Sequence, residues 1–331
     1  MKKIKIIAEI GVNHNGQLSL AKKLIKHAKL AGSDFVKFQC YNSNRLVTQK
    51  AKKAKYQKKF NKNENQKDML KKYELSQNQI KNLKSYCKRI GIKFLLSVFD
   101  LDSYAFLKKL GLKIVKIPSG EFNNFELIEQ IAKGKEELIL STGMASFNEM
   151  KKTVNYLKKK SKKNFTILHC VSSYPTPMDQ VQILNMLKIK KKFNTKIGFS
   201  DHTESYEAAV SAVALGAKII EKHLTLNKKM VGPDHSSSLN PIEFKNFVDS
   251  IRKTEKIMKL KKIKISYDEF KNSKVVRKSI VAKNNIKKGD RFSRKNLTTK
   301  RPDSGISASE WFKVLNKFAK KDFVKDEIIK I

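Results

Sequence analysis

Two stretches near the middle of the 331-residue chain carry the residue types best suited to chemistry. KIGFSDHT (196–203) delivers Ser200, Asp201 and His202 at the end of one apolar run, and KIIEKHLT (218–225) delivers Glu221, Lys222 and His223 at the end of another. Between them, ESYEAAVSAVALGA has helical spacing and closes on Gly216. A strand–helix–strand unit whose strands both end in histidine is a natural place for a divalent metal. The competing reading is two unrelated histidines at strand ends. The elements that position them must decide.

Eight short runs are apolar on both faces, as strands of a parallel sheet covered by helices should be: 4–10, 35–39, 93–99, 114–119, 137–142, 165–170, 196–200 and 218–225. The intervening segments read as helices, and Gly32, Gly91, Gly111 and Gly216 stand where a left-handed cap would end them. Eight such units predict an α/β fold, a (β/α)8 barrel over 1–259. The beginnings of the runs share no theme. Their C-terminal ends carry Glu9, Asn13 and His14, Lys37 and Gln39, Ser97, Lys116, Ser119 and Glu121, Ser141 and Thr142, His169, Ser200 to His202, and Glu221 with His223. Barrel enzymes place their chemistry at that end. Of the six histidines only His27 falls mid-helix, which favours the metal reading.

The polar, Lys-rich stretch from Tyr41 to about Lys72 reads as a substrate-covering loop, and 241–258 as the eighth helix with Pro241 in its first turn. Residues 260–274 lack apolar periodicity and read as a linker. From Val275 short β-runs, an IKKGD turn and a Ser-x-x-Glu helix start at Ser307 predict a small, mostly-β second domain over 275–331. Four of the chain's seven arginines lie there, and Arg301 is the one singled out for planar, bidentate binding.

The formal net charge is +42, yet only seven of 72 basic residues are arginine and the lysines are spread along the whole chain. A nucleic-acid reader concentrates its basic residues and uses arginine, so no nucleic-acid partner is expected. No stretch approaches the roughly 20 apolar residues of a membrane span. Three cysteines without metal spacing point to reduced thiols and a cytoplasmic protein.

Nine motifs in order, AEIGVNHNG, VKFQ, KIPSGE, LSTGM, HCxxxYPTP, GFSDHT, EKHLT, GPDH and KRPDSGIS, resemble the sialic acid (N-acetylneuraminate, nonulosonic acid) synthases. That resemblance covers nearly the whole chain. It implies a TIM barrel followed by an antifreeze-like (SAF) domain, and a reaction of phosphoenolpyruvate with an open-chain N-acylated amino-sugar that releases phosphate. N-acetylmannosamine is the expected sugar, with a legionaminate- or pseudaminate-type substrate as the alternative.

By the same resemblance His202 and His223 hold a divalent metal, Mn²⁺ or in its place Mg²⁺ or Co²⁺, that polarises the aldehyde. Lys37, Ser97, Lys116, Ser119, Ser141, Ser172 and Ser200 match positions that bind phosphoenolpyruvate, where lysine suits a multi-oxygen phosphate. Glu9 matches a residue beside the reacting carbons. Gln39, Glu121, Tyr174 and Asp234 match sugar contacts, and Arg301 matches an arginine that reaches the N-acetyl group from the other subunit of a domain-swapped homodimer. The chain departs from the family pattern at Ser97-Val98, often Thr-Pro, at Ser172 and Arg277, Asn and Phe in some neuraminate-forming members, and at KRPDSG, usually KRPGNG. A Schiff-base aldolase working through Lys37 or Lys116 also fits strand-end lysines.

Overall fold

A computed structural model describes residues 3–54, 64–160, 165–259 and 264–331. The chain divides into two compact units, Met1–Lys259 and Leu260–Ile331. The first unit opens with β1 (Lys5–Gly11), α1 (Leu18–Ala31) and β2 (Phe35–Cys40), then α2 (Ser43–Leu46), α3 (Gln66–Tyr73) and α4 (Gln77–Ile90). There follow β3 (Lys93–Val98), α5 (Leu101–Lys109), β4 (Ile114–Ile117), α6 (Phe125–Lys133), β5 (Glu137–Ser141) and α7 (Phe147–Lys159). β6 (Phe165–Cys170), α8 (Asn185–Phe193), β7 (Lys196–Asp201), α9 (Glu207–Ala214), β8 (Ile219–His223) and α10 (Pro241–Ile257) complete it. The eight strands pair in sequence order and close into a barrel, with β1 parallel to β8.

The two-residue period of a strand sorts each one into an outward and an inward set. Outward side chains such as Ile6, Val36, Leu96 and Ile220 join the helices in the main core. Inward ones form a separate apolar layer of Ile7, Phe35, Leu95, Ile139, Leu168 and Ile219. This layer plugs the barrel. The next inward residues toward the strand C-termini are Glu9, Lys37, Ser97, Lys116, Ser141, Cys170, Ser200 and Glu221, so the plug is the floor of a polar chamber.

That period corrects two readings of the sequence. Each triplet at the ends of β7 and β8 is split between faces. Asp201 and Lys222 point outward and pair at 2.9 Å, both buried. His169 likewise faces out, stacked on Phe199 and bonded to the Val181 carbonyl at 2.8 Å. The expected glycine caps are present: Gly32 and Gly91 close α1 and α4 in the left-handed conformation.

The stretch after β2 is not simply a loop, because it holds α2 and α3; residues 55–63 of it lie outside the described set. Part of the stretch read as a linker is helical. Residues 260–263 are outside the described set, and beyond them α11 (Tyr267–Val276) starts on a capping box between Ser266 and Glu269. No side chain of α11 is buried, which is why it lacks apolar periodicity. In the second unit β9 (Ser279–Ala282) pairs antiparallel with β10 (Leu297–Lys300), and α12 (Trp311–Val314) follows a 3-10 turn at Ala308–Glu310. Ile280, Ile286, Phe292, Val314, Phe323 and Ile329 form its core.

Candidate active site

The chamber above the apolar plug opens as a cavity of about 820 Å³. Fourteen residues singled out from the sequence line it: Glu9, Lys37, Gln39, Ser97, Lys116, Ser119, Glu121, Ser141, Ser172, Tyr174, Ser200, His202, His223 and Asp234. Arg301 belongs to the second unit, where it is exposed.

Four buried charged groups share the floor. Lys37 Nζ sits 2.9 Å from Glu221 and 3.4 Å from Glu9, while Lys116 Nζ sits 3.6 Å from Glu221 and donates to Ser141 Oγ at 2.7 Å. Ser200 Oγ donates to Glu221 at 2.9 Å. Charges removed from water survive only when paired, so the two lysines compete for carboxylate. Glu221 lies between them. Although burial opposes its ionisation, Lys116 and Lys37 hold it well below the usual carboxylate range. Glu9 is pushed up to about 7, chiefly by burial and also by the charge of Glu221, against the pull of Lys37. Burial brings Lys116 down to about 8. Lys37, between two carboxylates, is held above its ordinary value despite burial.

Two ammonium groups against one firm carboxylate leave the floor net positive, ready for an anion. On the neighbouring wall Gly143 donates its N–H to Ser119 Oγ at 3.0 Å, and a Cβ at Gly143 would lie 2.1 Å from Ser172 Oγ. The glycine keeps that wall narrow enough for two hydroxyls and a backbone to meet one small ligand. Ser97 Oγ is buried and has no hydrogen-bond partner among the described residues.

His202 and His223 meet edge to face with ring centroids 5.4 Å apart, and the Tyr174 ring lies tilted against His202 at 4.3 Å. His202 Nδ1 is 2.7 Å from the Val171 carbonyl, which directs its other nitrogen away from that bond. His223 Nδ1 is buried without a hydrogen-bond partner among the described residues; Asp234 Oδ2 is 3.8 Å away. Burial, and then the neighbouring His202 and Lys37, keep His223 neutral. Burial also raises Asp234 to about 6. Gly11, at φ +53°, underlies a convergence of Glu9, Asp234 and Gln39, all within 3.5 Å of where its Cβ would be. Among the described residues no three His, Cys, Asp or Glu side chains form a metal cage.

Reading the strand ends as clusters gave no role to Glu221. Its parity with His223, two residues on, places it inside the barrel, and that signal is in the sequence. Cys170 also lines the cavity, its Sγ 3.8 Å from His202 Nδ1.

The closed parallel barrel sets buried lysines, hydroxyls and paired imidazoles at the strand C-termini, the end at which barrel enzymes carry their active sites. Residues 24–263 match the model of the NeuB family, and residues 277–331 match the SAF domain. The chain belongs to the NeuB family and carries a SAF domain. It is 48% identical, over 100% of both chains, to a Campylobacter jejuni protein named N,N'-diacetyllegionaminic acid synthase. It is 34% identical, over 99% of this chain and 96% of the other, to a pseudaminic acid synthase of the same organism. Among solved structures it resembles the N-acetylneuraminic acid synthetase of Leptospira borgpetersenii, with a TM-score of 0.72 and 34% identity over 82% of this chain and 90% of that one.

Proposed function

We propose that the protein is a nonulosonic acid synthase of the N,N'-diacetyllegionaminate type, joining phosphoenolpyruvate to an open-chain amino-sugar that bears two N-acetyl groups. The carrying observation is the pair of buried lysines sharing Glu221 beside the His202–His223 pair in one cavity. The similarity at 48% favours the diacetylated sugar over N-acetylmannosamine, the first expectation from the sequence.

In this reading Lys37, Lys116 and the serines anchor the phosphate and carboxylate. His202 and His223, the latter with a buried nitrogen that has no hydrogen-bond partner among the described residues, would hold a divalent ion. When bound, that ion polarises the sugar aldehyde. The π electrons of phosphoenolpyruvate form a bond from C3 to the aldehyde carbon, and C2 becomes an oxocarbenium. Water adds at C2, giving its first proton to Glu9. The C2–O bond then breaks and phosphate leaves with the electron pair. One proton of the water ends on the new hydroxyl, and the other is released as the C2 hydroxyl collapses to a ketone.

The test is phosphate release from phosphoenolpyruvate across a panel of N-acylated sugars, with Mn²⁺ or with chelator. The diacetamido sugar with Mn²⁺ is expected to be the best substrate, and His202→Ala and His223→Ala to abolish release. No phosphate from any sugar, or full activity in both histidine variants, overturns the reading.

A further inference from the structure

The cavity is chemically two-sided. Its floor is ionic, whereas the wall built by the stretch after β2 presents mainly Leu46, Val47, Met69 and Leu70, flanked by Gln66 and Tyr73, with Phe99 from just after β3 beside them. Met69 is 5% exposed, and Leu46, Val47 and Leu70 are half-buried. The wall is anchored from behind. Tyr41 packs edge-on against Phe99 at 5.7 Å and donates its hydroxyl to the Leu70 carbonyl at 3.0 Å. The Ser43 amide donates to Glu74 at 2.9 Å, and the Gln66 amide to the Ala51 carbonyl at 3.3 Å. A surface held by a buried phenol and by backbone bonds from both α2 and α3 is shaped in advance, the condition under which small substrate differences are discriminated.

We propose that this wall is the specificity element of the synthase. It takes the methyl of the second N-acetyl group of the sugar, the group that separates a diacetamido substrate from a monoacetamido one. The assignment rests on the function proposed above. The histidine pair fixes the aldehyde end of the sugar beside the Lys37–Lys116 floor that holds phosphoenolpyruvate, so the rest of the sugar extends into the remaining cavity, which this wall bounds. A hydroxyl set against Val47 and Met69 leaves water without a new partner. An acetyl methyl there sheds water from apolar surface on both partners. A pocket of this kind distinguishes one such group by roughly 10- to 200-fold.

The experiment measures kcat/KM for a diacetamido hexose and for N-acetylmannosamine with saturating phosphoenolpyruvate and Mn²⁺. It compares the wild type with Val47→Thr, which keeps the shape and changes only polarity, and with Met69→Gln. The wild type is expected to prefer the diacetamido sugar. In variants that keep the wild-type melting temperature the ratio of the two constants should fall about tenfold, through the KM of the sugar and not that of phosphoenolpyruvate. If Met69→Gln does not fold, Val47→Thr decides alone. An unchanged ratio in folded variants overturns the wall as selector and leaves the diacetyl-sugar reading standing. Lack of preference in the wild type overturns both.

Discussion

Among single residues, the environments of Glu9 and Lys116 make a prediction about pH. In the proposed reaction Glu9 must be ionised to accept a proton from water, and burial has raised it to about 7. Lys116 must be charged to hold an anion, and burial has lowered it to about 8. The specificity constant for phosphoenolpyruvate reports groups of the free enzyme. It should climb as pH passes 7, fall as pH passes 8, and peak narrowly between. Glu9→Gln should lower it by about 10²- to 10⁴-fold and remove the acid limb. Lys116→Arg cannot lose its charge in this range, so whatever activity remains should lack the alkaline limb. A profile flat from pH 6 to 9 would sink both assignments. The same neighbourhood argues against a Schiff base through Lys37, since its two carboxylates hold it in the ammonium form that cannot attack a carbonyl. Residue type and strand-end position were enough to find Lys37, Lys116, His202 and His223. The division of labour between Glu9 and Glu221 was not legible, because it depends on which carboxylate stands between two lysines contributed by β2 and β4.

At the level of elements, the outward pair Asp201–Lys222 shows how the histidines are kept in place. Lys222 donates to the carbonyls of Thr203 and Ser205 as well as to Asp201, and Asp201 accepts from the Thr203 amide at 2.9 Å. The bond from β8 therefore grips the turn that follows His202, while His223 is the next residue after Lys222. Lys222→Met leaves a fully buried carboxylate without its counter-charge. It should destabilise the barrel by about 3–5 kcal/mol, a drop of roughly 10 °C in melting temperature at this size. Adding Asp201→Asn removes the stranded charge, and the double variant should recover part of the loss by calorimetry. If the single variant melts like the wild type, the pair is not what secures the turn. Element boundaries were legible where a buried face imposes a period, as in the eight strands. They were missed where little or no face is buried, α3 burying Met69 alone and α11 nothing. α11 announces itself only by Ser266 and Glu269, and α3 only by Asn65, whose side chain caps it.

For the whole molecule, the question is where Arg301 acts. It lies in the SAF domain, and the family resemblance assigns its counterpart to the site of the other subunit in a swapped homodimer. A closed two-fold dimer makes this testable, because each site would then combine one barrel with the partner's SAF domain. Arg301→Ala chains have an intact barrel, and His223→Ala chains have an intact SAF domain. Each homodimer should release little or no phosphate at low sugar concentration. Unfolding and refolding the two chains together gives a random mixture in which half of the dimers are mixed. Each mixed dimer has one site built from the two intact parts, so about a quarter of the wild-type activity per site should return. If Arg301 serves the barrel of its own chain, every barrel in the mixture is paired with a defective arginine or is itself defective, and nothing returns. Size-exclusion chromatography with light scattering reports in parallel whether the dimer forms. A monomer with full activity would end the shared-site reading and place the sugar's N-acetyl group wholly within one chain.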